Sequence, residues 1–283
     1  MYRHSRLRRA RTPLTLMATA TVAAGAFAVS TGPASAAKTP PVQESKQPKP
    51  TVVLVHGAFA DSSSWNGVVK RLKQDGYPVV AAANPLRGVS TDAASVKHLV
   101  ASIDGPVVLV GHSYGGAVIS NAAHGSDNVK ALVYADAFLP DKGESANDLA
   151  GKFEGSVIGK VLRPVPITNP DGSKDVDLYI DQSQFHKAFA ADVPARTAGL
   201  MAVAQRPGTG SGLGEPSGEP AWKTIPSWVL VGTNDKIIPR ELQLFMAKRA
   251  NAHIQEVRSS HAVTVSRPDA VTRIIEKAAR TVR

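Results

Sequence analysis

Short apolar runs that alternate with helical segments are the feature that most limits how this chain of 283 residues can fold. Such runs are typical of strands that are buried on both faces of a parallel sheet. The segments between them carry apolar residues at helical spacing, as at Trp65, Val68 and Leu72. The predicted strands are 51–57, 78–83, 106–111, 129–136, 227–232 and 253–257. The alternation therefore predicts an α/β domain over 51–283, with a mostly parallel, doubly wound sheet covered by helices on both faces.

Residues 137–226 interrupt this alternation, and they contain no strong run that is typical of a buried strand. They hold a glycine-rich stretch at 209–220 and three segments of helical character. Those three segments are 145–162, 183–193 and 194–205. Ligands of open α/β sheets bind beyond the carboxyl ends of the strands, so an insertion that leaves such an end is well placed to cover a site. We therefore predict a helical lid, or cap, over 137–226.

The N-terminal segment has the pattern of an export signal. Five arginines lie within 1–11, an apolar stretch begins at Leu14, and an Ala-Ser-Ala sequence ends at Ala36. A basic start, a short apolar stretch and a small-residue cleavage site describe a secretory signal peptide. The apolar stretch is short for a membrane span, so no stable membrane insertion is expected after cleavage. We predict a signal peptide at 1–36, a flexible linker rich in proline and lysine at 37–50, and a secreted domain.

The formal charge of +10 does not indicate a nucleic-acid partner, because half of it lies in the predicted signal peptide. Without the five arginines of that segment the charge is +5, which describes a mildly basic surface. The chain has no cysteine, so disulfides, thiolate catalysis and cysteine-ligated metals are excluded. No cluster of histidines and carboxylates has the spacing of a metal site. We predict no metal, no cofactor and no nucleic-acid partner.

The stretch LVGHSYGGAV (109–118) places one hydroxyl among glycines, at the point where a predicted strand ends and a predicted helix begins. Gly111, Ser113 and Gly115 match the pattern G-x-S-x-G. In a nucleophile elbow the serine sits on a strained strand-to-helix turn, and glycines are needed because neighbouring side chains would clash there. The strand before the motif and the helix after it favour this interpretation over a purely structural turn. Ser113 is therefore the predicted nucleophile.

A serine nucleophile needs a histidine base and an acid that orients the base. In this fold these residues follow in the order Ser, Asp or Glu, His. Asp235 follows the predicted strand 227–232, and His261 follows the predicted strand 253–257. Each residue then lies at a strand end on the same rim of the sheet, and Ser113, Asp235 and His261 form the predicted triad. Asp136, at the end of 129–136, is an alternative acid.

The oxyanion that forms on attack of a carbonyl needs two aimed hydrogen-bond donors. One is predicted to be the backbone N–H of Tyr114, the residue after the nucleophile. The second is expected from the loop after the first strand, where Ala58 is the first choice and Phe59 the alternative. Among the other histidines, His112 is expected to point away from the Ser113 hydroxyl and to support the site from behind. His186, in the lid, is a candidate for substrate contact.

Four segments resemble the α/β-hydrolase family, and the resemblance covers about 51–283. They are VLVHGAFADSSSW, LVGHSYGGAV, VGTNDKIIP and SSHAVTVSRPDAV. The chain is similar to the small-esterase branch that includes plant methylesterases and hydroxynitrile lyases, to cofactor-free haloperoxidases, and to many exported actinobacterial hydrolases. The lyases of that branch carry threonine at the position of Gly57 and lysine at that of Ala262, so the resemblance does not imply cyanohydrin cleavage.

The resemblance implies a cofactor-independent serine hydrolase that cleaves carboxylic esters of small, apolar substrates through an acyl-enzyme. Phe59, Phe138 and Leu139 are candidates for the substrate pocket, although core packing explains them equally well. Two other functions stay open. A perhydrolase would form peracids with the same serine, and a binding protein of this fold would capture a small ligand without turnover.

Overall fold

The computed structural model describes residues 48–282. The predicted signal peptide and most of the predicted linker lie outside the described residues, so both stay predictions. No helix in the described part of the chain is long and apolar enough to cross a membrane.

The strands form two sheets. The main sheet contains β1 (Thr51–Val55), β2 (Val79–Ala82), β3 (Val107–Ser113), β4 (Val129–Ala137), β8 (Ser227–Gly232) and β9 (His253–Val257). The second sheet contains β5 (Leu162–Thr168), β6 (Lys174–Ile180) and β7 (Gly208–Thr209). The strand order of the main sheet is β2-β1-β3-β4-β8-β9, and all five pairings are parallel.

Helices connect these strands. The helices outside the insertion are α1 (Asn66–Gln74), α2 (Val89–Ala101), α3 (Gly115–Ala122), α9 (Arg240–Arg249), α10 (Val263–Ser266) and α11 (Pro268–Ala279). Those within it are α4 (Ala146–Ala150), α5 (Ile158–Val161), α6 (Gln182–Ala188), α7 (Ala195–Ala204) and α8 (Gly210–Leu213). Two 3₁₀ turns, Ser62–Trp65 and Ala221–Lys223, complete the described elements.

The main sheet has a hydrophobic core on each face, because successive side chains of a strand point to opposite sides. Val108 and Val110 of β3 pack with α1 and α11, in the core that holds Trp65. Val107 and Leu109 of the same strand pack into the opposite core with α2, α3 and α9. Burial on both faces explains why β3 is uninterrupted in its apolar character up to Val110. The predicted α/β fold with a parallel sheet is confirmed. The ends of the predicted strands differ from the observed ends by at most two residues.

The insertion contains the predicted helices, but it is not purely helical. The strands β5 and β6 form an antiparallel hairpin, with Leu162 opposite Ile180 and Thr168 opposite Lys174. Two sequence features are consistent with this hairpin, although neither has the pattern of a buried strand. Asn-Pro-Asp-Gly at 169–172 is a typical turn sequence, with Gly172 at φ +85°. The prolines of β5 argue against an inner strand, yet β5 is the edge of its sheet, where proline is tolerated.

Candidate active site

The nucleophile elbow is formed where β3 passes into α3. Ser113 has φ +53°, a left-handed conformation that a residue other than glycine rarely adopts. Close packing explains the neighbouring glycines. A Cβ on Gly111 would lie 2.6 Å from the carbonyl oxygen of Gly115, and a Cβ on Gly57 would lie 2.6 Å from Cβ of Ser113. The turn therefore requires glycine, and it presents the Ser113 hydroxyl at the rim of the sheet.

Ser113, His261 and Asp235 form one chain of hydrogen bonds. Nε2 of His261 lies 2.9 Å from Oγ of Ser113, and Nδ1 of His261 lies 2.7 Å from Oδ2 of Asp235. All three residues are buried. With Nδ1 donating to the carboxylate, Nε2 is the atom free to accept the serine proton. The three residues that the sequence predicts at separate strand ends are thus brought together in the geometry of a charge-assisted triad.

Three N–H groups hold the Asp235 carboxylate in place. Its Oδ1 accepts from the backbone of Ile237 at 2.7 Å and from that of Ile238 at 3.0 Å. Its Oδ2 accepts from Nε2 of Gln243, on α9, at 3.1 Å. Hydrogen bonds to a carboxylate favour its charged form and fix its orientation. Gln243 therefore supports the Asp235 carboxylate, a role that no local sequence pattern indicates.

The alternative acid, Asp136, is the penultimate residue of β4 and lies next to the triad, but it accepts no hydrogen bond from His261. It is fully buried, with φ +44°. Three atoms lie within 4.8 Å of one another here: a carboxylate oxygen of Asp136, a carboxylate oxygen of Asp235 and a ring nitrogen of His261. Burial, followed by the negative charge of Asp235, raises the pKa of Asp136 well above its usual value. Asp235 is therefore the residue that contacts the histidine.

The sequence predicts that the backbone N–H groups of Tyr114 and Ala58 bind the oxyanion, with that of Phe59 as the alternative. The structure excludes Phe59, because its N–H donates to the carbonyl oxygen of Arg206 at 2.8 Å. Within residues 48–282 the N–H groups of Ala58 and Tyr114 have no acceptor, and both residues line the cavity at Ser113. The Tyr114 side chain is held by Asp92, whose Oδ2 accepts from the tyrosine hydroxyl at 3.1 Å.

His112 supports the histidine loop from behind the elbow. Its Nε2 lies 2.8 Å from the carbonyl oxygen of His261 and donates to it. Burial lowers the pKa of His112 to about 3, so the ring is neutral. Phe189, from the lid, packs edge-on against both rings, with its centroid 4.8 Å from that of His261 and 6.3 Å from that of His112. The positions of the backbone and the ring of His261 are thus fixed from two sides.

A small apolar cavity of about 60 Å³ lies over Ser113. Its lining consists of Ala58, Phe59, Ser113, Tyr114, Phe138, Ala146, Asn147, Ala150, Ile158, Leu162, Leu213 and Ile237. Two of the candidates for the substrate pocket, Phe59 and Phe138, are among these lining residues. Leu139 does not, because its side chain is fully buried in the core, and its N–H faces Sδ of Met246. His186 does not line it either, because its Nε2 bonds to the carbonyl oxygen of Val193 within the lid.

The fold and the site define a class, the serine hydrolases built on a parallel sheet with a nucleophile elbow. A family model described as "Alpha/beta hydrolase family" matches residues 52–274, so the chain belongs to that family. It is thus a hydrolase, and its predicted likeness to the plant methylesterase branch is confirmed.

Two curated relatives and one solved structure are among the proteins to which the chain is similar. The alpha/beta hydrolase nvfD of Aspergillus novofumigatus is 29% identical, over 82% of this chain and 97% of its own. Methylesterase 8 of Arabidopsis thaliana is 25% identical, over 72% of this chain and 79% of its own. The structure of polyneuridine aldehyde esterase superposes with a TM-score of 0.72 at 19% identity, over 81% of this chain and 98% of that chain.

Proposed function

We propose that this chain hydrolyses carboxylic esters of small, apolar substrates through an acyl-enzyme on Ser113. The observation that carries the proposal is the continuous chain of hydrogen bonds from Oγ of Ser113 through His261 to Asp235. The similarity to proteins named as esterases supports the same chemistry. In contrast to a binding protein of this fold, the chain retains every group that the reaction requires.

The proposed reaction has two halves. Oγ of Ser113 attacks the ester carbonyl carbon while Nε2 of His261 takes the hydroxyl proton, and Asp235 stabilises the imidazolium through Nδ1. The N–H groups of Ala58 and Tyr114 stabilise the oxyanion. The imidazolium then gives its proton to the departing alcohol, which leaves the acyl group on Ser113. Water, deprotonated by His261, attacks the acyl carbonyl, and collapse of the second oxyanion releases the acid and restores the serine.

The cavity supports the proposed substrate class. Apart from Ser113, its polar side chains are those of Tyr114 and Asn147, and the Tyr114 hydroxyl is already bonded to Asp92. A volume of about 60 Å³ leaves room for a short acyl group only. Charged or strongly polar acyl groups would find few partners there, and their desolvation would oppose binding.

The test is a panel of p-nitrophenyl esters of increasing acyl length, assayed with the full chain and with Ser113→Ala. We expect the wild type to prefer the shortest esters and Ser113→Ala to lose at least about 1,000-fold in turnover. Ser102→Ala, at an exposed serine that ends α2, is the matched control and keeps wild-type activity. Full activity of Ser113→Ala would contradict the proposal.

We also propose that the chain is exported, which rests on the sequence pattern of residues 1–36. Expression of the full chain in a secreting bacterium, followed by N-terminal sequencing of the protein in the medium, tests this. The expected first residue is Ala37. A protein retained in the cell with an uncleaved N-terminus would contradict it.

A further inference from the structure

Asp136 is a buried carboxyl group beside the triad that the proposed reaction does not use. It is the penultimate residue of β4, the neighbour of β8 in the sheet, and Asp235 follows the end of β8. The space for its side chain exists because Gly232 has no Cβ. A Cβ at Gly232 would lie 2.6 Å and 2.7 Å from the two carboxyl oxygens of Asp136. The packing of these two strand ends therefore brings a second carboxyl group close to Asp235.

Hydrogen bonding does not explain the presence of this carboxyl group. Neither oxygen of Asp136 has a partner that meets hydrogen-bond geometry within residues 48–282, although the backbone of Gly232 is nearby. The hydroxyl of Ser259, which borders the same space, is also unpartnered. A buried polar group without partners destabilises a fold, so such a group in a functional centre calls for a reason other than stability.

Burial and the charges around Asp136 together oppose its ionisation. Asp235 faces it from the loop after β8, His261 from the loop after β9, and Asp192 contributes a more distant negative charge from the loop after α6. Asp235 is the hydrogen-bonded partner of His261, and a second negative charge beside it, without solvent, is unfavourable. Asp136 is then the neutral member of the carboxyl pair. Removal of the Asp235 carboxylate takes away the negative charge that most opposes ionisation of Asp136, and it leaves burial and the charge of Asp192.

We propose that Asp136 is a positioning residue of the triad, a reserve carboxyl group that supports His261 when Asp235 no longer can. Its location fits this role, because its carboxyl lies within 4.8 Å of a ring nitrogen of His261. An ionised carboxylate there stabilises the imidazolium that forms when Ser113 gives up its proton. This inference rests on the proposed function, since it concerns the same serine and the same histidine.

The test compares Asp136→Asn in two backgrounds, the wild type and Asp235→Ala. Alanine removes the first acid without adding an N–H donor that would force His261 into the wrong tautomer. The readout is the rate at which a fluorophosphonate labels Ser113, which requires an activated serine but no knowledge of the natural substrate. Ser259→Ala in the Asp235→Ala background is the matched control, because Ser259 borders the same space with a neutral side chain.

We expect Asp235→Ala to lower the labelling rate by roughly 10- to 100-fold, less than the roughly 10⁴-fold loss of an acid without a substitute. Adding Asp136→Asn to that background lowers the rate by at least about a further tenfold, a non-additive loss typical of residues that replace each other. Asp136→Asn alone costs less than about fivefold, and Ser259→Ala adds no further loss. Equal rates for Asp235→Ala and the double variant would overturn the inference.

The pH dependence of labelling gives a second readout that a packing role would not change. A carboxylate near a histidine stabilises the imidazolium, so its replacement by an amide shifts the acid limb of the labelling profile to lower pH. We expect this shift when Asp136→Asn is added to Asp235→Ala, and its absence there would also overturn the inference. If alanine prevents folding, judged by thermal unfolding, Asp235→Val is the substitute background because it fills more of the side-chain volume and adds no N–H donor. No Ser113-dependent labelling of the wild type would contradict the proposed function itself, and the inference with it.

Discussion

At the scale of single residues, the site depends on backbone positions that distant side chains hold. Ser113 is presented by a left-handed turn, and His261 is held from behind by His112. The neutral His112 ring connects the elbow to the histidine loop, because it neighbours the nucleophile and donates to the His261 carbonyl. Substitutions at His112 should therefore affect turnover more than substrate binding.

We expect His112→Ala to lower kcat by roughly 10- to 100-fold with little change in KM, because the base would be misplaced relative to Ser113. His112→Gln can supply a side-chain N–H at a similar reach and should restore part of the activity. Steady-state kinetics on a short p-nitrophenyl ester measure both effects. His98→Ala, on the exposed side of α2, is the control and should not alter kcat. An unchanged kcat for His112→Ala would show that the loop is held without it.

At the scale of elements, the insertion forms much of the cavity wall above Ser113. Leu162 of β5 and Leu213 of α8 line the cavity from the insertion, whereas Ile237 lines it from the loop that carries Asp235. The hairpin and the short helices of the insertion therefore determine which acyl groups fit. The acyl preference of the cavity therefore depends on elements that are distant in the sequence and pack together in the fold.

We expect Leu213→Ala to shift the preferred p-nitrophenyl ester to a longer acyl chain, because the cavity wall would recede. The preference should move by about two or three methylene groups, each worth roughly 0.8 kcal/mol when buried. Leu200→Ala, at an exposed position of α7 that does not line this cavity, is the matched control. An identical chain-length profile for Leu213→Ala and the wild type would place the acyl group elsewhere.

Gln205 connects the helical and strand parts of the insertion. Its side chain accepts from the N–H of Ile180 at 2.8 Å and donates to the carbonyl oxygens of Ile180 and Ala202. Gln205→Ala would leave these backbone groups buried without partners, at a cost of about 2 kcal/mol. We expect faster hydrogen exchange and proteolysis in the insertion, measured by mass spectrometry. Gln184→Ala, at an exposed position, is the control and should leave both rates unchanged. Equal rates in the two variants would show that Gln205 does not hold the helical and strand parts together.

At the scale of the whole molecule, stability and function make opposite demands on Asp136. Its pKa is raised in the folded state, chiefly by burial, so the folded protein holds a proton that the unfolded chain releases above about pH 4. Stability from this group is therefore fully present at low pH and is lost as the pH rises toward the folded-state pKa. The lowered pKa of His112 acts in the opposite direction, but it contributes equally to the wild type and to a variant at Asp136.

We expect Asp136→Asn to gain free energy of unfolding relative to the wild type as the pH rises from 4 to 8. The difference should reach about 1–3 kcal/mol at neutral pH. Urea unfolding at several pH values measures it, and the asparagine keeps the size of the side chain and tolerates the left-handed backbone. Asp75→Asn, at an exposed acid after α1, should show no such trend. A pH-independent difference for Asp136→Asn would mean that Asp136 is ionised in the folded protein.

Sequence patterns alone predict the parallel sheet, the elbow and the three residues that the structure brings together as Ser113, His261 and Asp235. These are set by local patterns, because apolar runs, glycines and polar residues at strand ends are contiguous in the chain. Tertiary contacts were needed to show that Asp235 and not Asp136 bonds to His261, that the N–H of Phe59 is already bonded, and that Leu139 and His186 do not line the cavity. Each of those outcomes depends on a contact between distant segments, such as the bond from Phe59 to Arg206. The antiparallel hairpin is hard to predict from the sequence because its strands are partly exposed and lack the continuous apolar character of buried ones, and because β5 contains two prolines.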